Sequence, residues 1–108
     1  MVPENKDIKR HKKRIQLRFG VEEPTIIGFT EDVSREGLFI KTAHVFPPNT
    51  RIKIDLVTSD NNVVNIEGVV RWVHRVPPNF IHLIKKSGMG VMITRIVSGE
   101  DTYSRLIS

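Results

Sequence analysis

The sequence predicts an all-β fold: a six-stranded antiparallel β-barrel with a short C-terminal α-helix and a flexible basic N-terminal segment. Three observations carry that expectation. Apolar and polar residues alternate with a period of two in short runs along the 108 residues, the pattern of half-buried strands. The runs are separated by clusters rich in Pro, Asn, Asp and Gly, which are turn signals. Only the last stretch, "SGEDTYSRLIS", reads as helix. Six short strands at regular spacing suggest closure, which removes the exposed edges that a small sheet must otherwise protect.

Residues 1–14 are assigned to the flexible segment and 15–108 to the barrel with its helix. Residues 1–9 have little apolar content and contain Pro3. Ile15, Leu17 and Phe19 alternate with Gln16 and Arg18 until Gly20 ends the first strand. "TIIGFT" (Thr25–Thr30) and "GLFIKT" (Gly37–Thr42) are the second and third β-rich runs, and "FPPN" then turns the chain. "RIKIDLV" (Arg51–Val57) alternates most cleanly, with Ile52, Ile54 and Leu56 on one face. "SDNN" (Ser59–Asn62) implies a hairpin turn. In "VVNIEGVVRWVH" (Val63–His74), Val64, Ile66, Val70 and Trp72 share one parity, and Gly68 between them suggests a bulge or bend. "VPPN" (Val76–Asn79) breaks the chain, and "GVMITRI" (Gly90–Ile96) is the sixth strand. In the final stretch, Ser98 and Asp101 resemble a capping box, with Tyr103, Leu106 and Ile107 as an apolar stripe.

Composition narrows the function classes. A single domain of this length buries roughly 65% of the surface its unfolded chain exposes, enough for a core without staples. There is no cysteine, so disulfides and thiolate metal sites are excluded and a reducing compartment fits. No apolar run approaches the ~20 residues of a membrane span, and the N-terminus is charged where a signal peptide is apolar. The expectation is a cytoplasmic protein without membrane insertion. Its charge is unevenly placed. Net charge is +5, yet residues 1–20 hold seven basic and two acidic residues, and the remainder holds ten of each sign. An anionic partner therefore meets "KRHKKR" (residues 9–14) first.

Catalysis finds little support, and no catalytic residue is assigned. His11, His44, His74 and His82 are scattered, and no pair has a recognised metal spacing. The glycines form neither a phosphate loop nor a dinucleotide fingerprint. "DVSREGLFI" (Asp32–Ile40) is more informative. Asp32, Ser34 and Gly37 lie between two expected strands. One reading is a turn, in which Asp and Ser bond nearby backbone and Gly takes a positive φ. The other is a ligand site. A carboxylate accepts from the N1–H and N2–H₂ of guanine, a hydroxyl adds a bond, and a glycine admits a ring close to backbone. An arginine fork opposite matches guanine O6 and N7 or phosphate oxygens.

Taken together, "RHKKR" (Arg10, Arg14) and "DVSREG" (Asp32, Ser34, Gly37), separated by 17 residues, resemble the signature of the PilZ domain family, bacterial receptors for cyclic di-GMP. "PPNTRIKIDL", "IEGVVRWVH" and "SGMGVMI" extend the resemblance over nearly the whole chain. The second RxxxR pair, Arg14 and Arg18, fits less well. Arg18 sits inside the first strand and points outward, whereas the family places its motif just before that strand. The resemblance implies a six-stranded barrel with a C-terminal helix, which agrees with the strand count. It also implies that Arg10 and Arg14 bind phosphates and guanine edges, that Asp32 and Ser34 bind the other guanine edge, and that Gly37 allows close backbone contact. By the same implication, ligand orders residues 5–14 and the new surface signals to a protein partner, in motility, biofilm or exopolysaccharide control.

Three secondary candidates remain. Lys9 either meets a phosphate or stays solvated, and Arg35 either reaches the ligand or stays exposed. Trp72 either walls the pocket or, as its parity favours, packs in the core. No cofactor is expected beyond the ligand. The alternative function is a small basic barrel binding RNA or single-stranded DNA. That reading is disfavoured because no aromatic pair sits at outward positions of one strand and the chain beyond residue 20 is neutral.

Overall fold

The computed structural model describes residues 9–75 and 87–108. Its strands are β1 (His11–Lys12), β2 (Gln16–Gly20), β3 (Ile26–Val33), β4 (Gly37–Lys41), β5 (Arg51–Val57), β6 (Val63–His74) and β7 (Gly88–Ser98), followed by helix α1 (Glu100–Leu106). All pairings are antiparallel. The order β3–β2–β5–β6–β7–β4 closes on itself because β3 also pairs with β4, giving the expected six-stranded barrel. The extra strand β1 pairs with the end of β3, on the edge that β3 shares with β2.

The alternation that announced the strands also fills the barrel. Leu17 and Phe19 of β2, Ile52, Ile54 and Leu56 of β5, and Val64, Ile66 and Val70 of β6 are all buried. Each such side chain contributes about 1.5–3 kcal/mol of burial. Gly68 lies at a register shift against β7, as its position suggested. The Thr58–Asn62 hairpin turn forms where "SDNN" placed it, with the Thr58 hydroxyl accepting from the Asn62 amide at 3.1 Å and Asn61 at φ 67. The Val76–Asn79 break and His82 lie outside the described residues.

Four expectations change. First, the basic segment is held from residue 11 onward. His11 and Lys12 pair with Val33 and Asp32. Just beyond, Thr30 Oγ1 donates to the Lys13 carbonyl at 2.5 Å and accepts from the Ile15 amide at 2.9 Å. Second, β3 continues to Val33, so Asp32 is a strand residue and the turn is confined to residues 34–36. Third, no capping box forms. Gly99, at φ 88, is the N-cap and makes no side-chain cap bond, while the Ser98 hydroxyl donates to Asn65 Oδ1. Fourth, Trp72 is not in the core but 50% exposed. A bulge between Val70 and Trp72 resets the alternation of β6, because the extra residue turns the following side chain to the other face.

Helix α1 closes the structure through Tyr103, which is 2% exposed. Its hydroxyl donates to the Ser34 carbonyl at 2.5 Å, tying the helix to the β3–β4 turn, and Leu106 and Ile107 pack against the core. Tyr103→Phe is expected to lower the unfolding free energy by about 1–2 kcal/mol, since a buried carbonyl loses its donor. Burial pushes the Tyr103 phenol above its ordinary value of 10.0. The folded state thus favours the neutral phenol. This stabilisation is complete below pH 10 and is lost as the pH climbs above it. Urea unfolding of both proteins at neutral and alkaline pH checks this, with the smaller alkaline loss expected in the variant.

Candidate functional site

The site is built where β3, β4, β6 and β7 meet. At its edge is the β3–β4 turn. The Ser34 amide donates to the Gly37 carbonyl at 2.8 Å. The Ser34 hydroxyl accepts from the Glu36 and Gly37 amides at 3.3 and 3.2 Å and lies 3.1 Å from the Gly37 carbonyl, to which it donates. Ser34 is buried, so its side chain serves the turn. Gly37 is not at positive φ; among the described glycines only Gly99 is. A Cβ on Gly37 would instead collide with the Val91 carbonyl oxygen, so this glycine lets β4 approach β7.

Asp32 follows a bulge between Thr30 and Asp32. Its carboxylate accepts from Arg10 Nη1 at 3.1 Å, with the arginine side chain 62% and the aspartate 23% exposed. The structure therefore brings together one member of each sequence motif. Arg14 is elsewhere. Its guanidinium carbon lies 4.1 Å from the centroid of the Phe29 ring, over a separate groove that also includes Lys13, Thr58 and Leu106. Arg18 is exposed on β2, as expected of a residue outside the motif.

The centre of the site is aromatic. Phe39 and Trp72 stack with centroids 5.2 Å apart and planes at 28°. Two glycines of β7 make room beneath them. Trp72 pairs with Gly90 across the β6–β7 ladder, and a Cβ on Gly90 would collide with the indole. A Cβ on Gly88 would lie 2.6 Å from Phe39 Cζ. Two cavities flank this stack. One, of ≈ 270 Å³, is lined by Arg10, Ser34, Gly37, Phe39, Arg71 and Trp72, among others. The second, of ≈ 320 Å³, is lined by Arg10, Glu31, Asp32, Phe39, Trp72 and His74. Arg10, Phe39 and Trp72 are common to both. The combined space falls in the range of about 300–1,000 Å³ typical of small-molecule sites.

Lys9 and Arg35 are exposed and line neither cavity. Phe39, Arg71, Gly88 and Gly90 were not singled out from the sequence, although "GMG" places two glycines on one face of a strand and Phe39 has outward parity between Leu38 and Ile40. No group of three or more acidic or histidine residues among the described residues could hold a metal ion. The arrangement offers an aromatic face, a carboxylate and a guanidinium around one cleft, the elements that recognise a purine nucleotide.

Comparison with known proteins places the fold and the family. Among curated proteins, none matches the sequence significantly. Among solved structures, the inhibitor of motility MotI/DgrA of Bacillus subtilis superposes with a TM-score of 0.70 at 16% identity. The alignment covers 94% of this chain and 47% of that one, so this chain spans about half the length of its structural neighbour. The PilZ domain family matches residues 5–105. The chain belongs to the PilZ domain family of cyclic di-GMP receptors.

Proposed function

We propose that this chain binds cyclic di-GMP in the two cavities around Phe39 and Trp72 and signals the bound state to a protein partner. The observation that carries the reading is the exposed Trp72, stacked on the buried Phe39 beside the Arg10–Asp32 ion pair. A purine base laid on Trp72 covers the half of that residue now open to solvent, and base–aromatic stacking contributes about 1–3 kcal/mol. Asp32 can accept from the N1–H and N2–H₂ of a guanine edge. Arg10 can then bond a phosphodiester oxygen or guanine O6 and N7. Ser34 and Gly37 act by holding the turn and the strand spacing that form the cavity wall.

Arg14 is the second arginine of the proposed site, and reaching the ligand requires it to leave Phe29. Magnitudes favour that exchange. An exposed cation–π contact contributes about 0.5–1 kcal/mol, whereas a hydrogen bond to a charged group contributes about 1.5–3 kcal/mol. The move rearranges the segment before β2 and alters the surface around Phe29, Val57 and Leu106. A partner in motility, biofilm or exopolysaccharide control is expected to read that change. The role is that of a receptor and effector, without a catalytic step. Arg14→Lys is expected to weaken cyclic di-GMP binding at least about tenfold, because a lysine offers no planar fork; an affinity equal to wild type in calorimetry contradicts this role.

Trp72 is the single tryptophan of the chain, so its fluorescence reports this site alone. Titration with cyclic di-GMP is expected to quench the emission saturably. Emission that stays constant through the titration removes the stacking role and with it the proposed location of the ligand.

A further inference from the structure

We infer that Arg71 is a third ligand-binding arginine, delivered to the site by the β6 bulge and directed at a phosphodiester oxygen of the bound dinucleotide. The inference rests on the receptor reading above.

In the β6–β7 ladder, Val70 faces Val91 and Trp72 faces Gly90, which leaves Arg71 as the extra residue. Regular alternation would put Arg71 and Trp72 on opposite faces. Instead Val70 is fully buried while Arg71 and Trp72 are both exposed. The bulge therefore does two things in one step: it brings the indole out of the core and sets a guanidinium beside it. Their Cα atoms are consecutive, about 3.8 Å apart, so a base stacked on Trp72 carries its ribose phosphate within reach of Arg71.

Arg71 lines the ≈ 270 Å³ cavity together with Arg10. The two arginines approach it from opposite ends of the run β6–β7–β4–β3–β1. Among the described residues, the one acceptor of Arg71 Nη1 is the Met92 thioether, at 4.0 Å, a weak neutral acceptor. Among the described residues, it forms no ion pair.

Charge accounting favours this residue. Cyclic di-GMP brings two phosphodiester charges. Arg10 is already paired with Asp32, Arg14 lies over Phe29, and Glu36 adds a carboxylate to the lining of the same cavity. Arg71 is the cation in this cavity with no carboxylate bonded to it among the described residues.

The test is calorimetric titration of cyclic di-GMP into wild type, Arg71→Ala and Arg71→Lys at low and moderate salt. Arg71→Ala is expected to lose about 10–30-fold in affinity and to show a weaker salt dependence, as one phosphate contact is gone. Arg71→Lys recovers part of the loss, since lysine supplies the charge without the fork. The melting temperature of the unliganded variant stays at the wild-type value, because Arg71 is exposed and holds no strong bond. Arg71→Ala binding within about twofold of wild type, less than 0.5 kcal/mol, overturns the inference and leaves the receptor reading standing. Failure of wild type to bind at all overturns both.

Discussion

Asp32→Ala is expected to weaken cyclic di-GMP binding by about 100-fold or more while leaving the barrel folded. The size follows from what the carboxylate is proposed to do. Two donors on one guanine edge meet one acceptor group, and each hydrogen bond to a charged group contributes about 1.5–3 kcal/mol. Losing the acceptor also leaves polar donors facing a cavity without a partner, the situation that makes hydrogen-bonding sites selective. Stability should barely change. Asp32 makes one ion pair, with an arginine side chain that is 62% exposed, and exposed pairs contribute about 0–1 kcal/mol. Calorimetry together with thermal unfolding separates the two quantities. An affinity that survives the substitution removes Asp32 from the guanine edge.

The second large effect concerns the other end of the same motif, and it is one of stability. Gly37→Ala is expected to destabilise the unliganded protein by about 2–3 kcal/mol, the usual cost of forcing volume into a packed site. The added Cβ meets the Val91 carbonyl oxygen, which is backbone and can move only if the β4–β7 ladder moves. Ligand affinity should fall as a consequence, since Val91 and Gly37 both line the cavity. Denaturant unfolding without ligand decides between the two explanations of this glycine. A variant as stable as wild type that nevertheless fails to bind would return Gly37 to a direct role against the ligand.

The barrel was legible because its strands obey a rule of period two. Ile52, Ile54 and Leu56 face inward as read, and the same holds for Leu17 and Phe19. Where local irregularity intervened, the reading failed for identifiable reasons. Trp72 has core parity in the sequence, but one extra residue at Arg71 reverses that parity. A bulge leaves no mark in composition. Ser98 has the right residue type for a cap, but the last bond of β7 claims its side chain and Gly99 turns the chain into the helix with φ 88. Strand β1 is two residues long, too short to show a period.

The candidate site was legible in its motif and not in its geometry. The pairing of Arg10 with Asp32 joins the two sequence motifs. The aromatic centre depends on contacts between residues far apart in sequence: Phe39 on Trp72, with Gly88 and Gly90 beneath. Ser34 and Gly37 were expected as ligand contacts by resemblance; both line the ≈ 270 Å³ cavity, and their observed partners are the turn and the neighbouring strand.

The most direct measurement is calorimetric titration of the wild-type chain with cyclic di-GMP, cyclic di-AMP and single-stranded RNA. Adenine offers neither the N1–H nor the N2 amine that Asp32 is placed to accept. The account predicts saturable binding of cyclic di-GMP, at least about 100-fold tighter than cyclic di-AMP, with RNA no better than the adenine compound. Absence of binding to cyclic di-GMP, or equal affinity for the adenine dinucleotide or RNA, would contradict it.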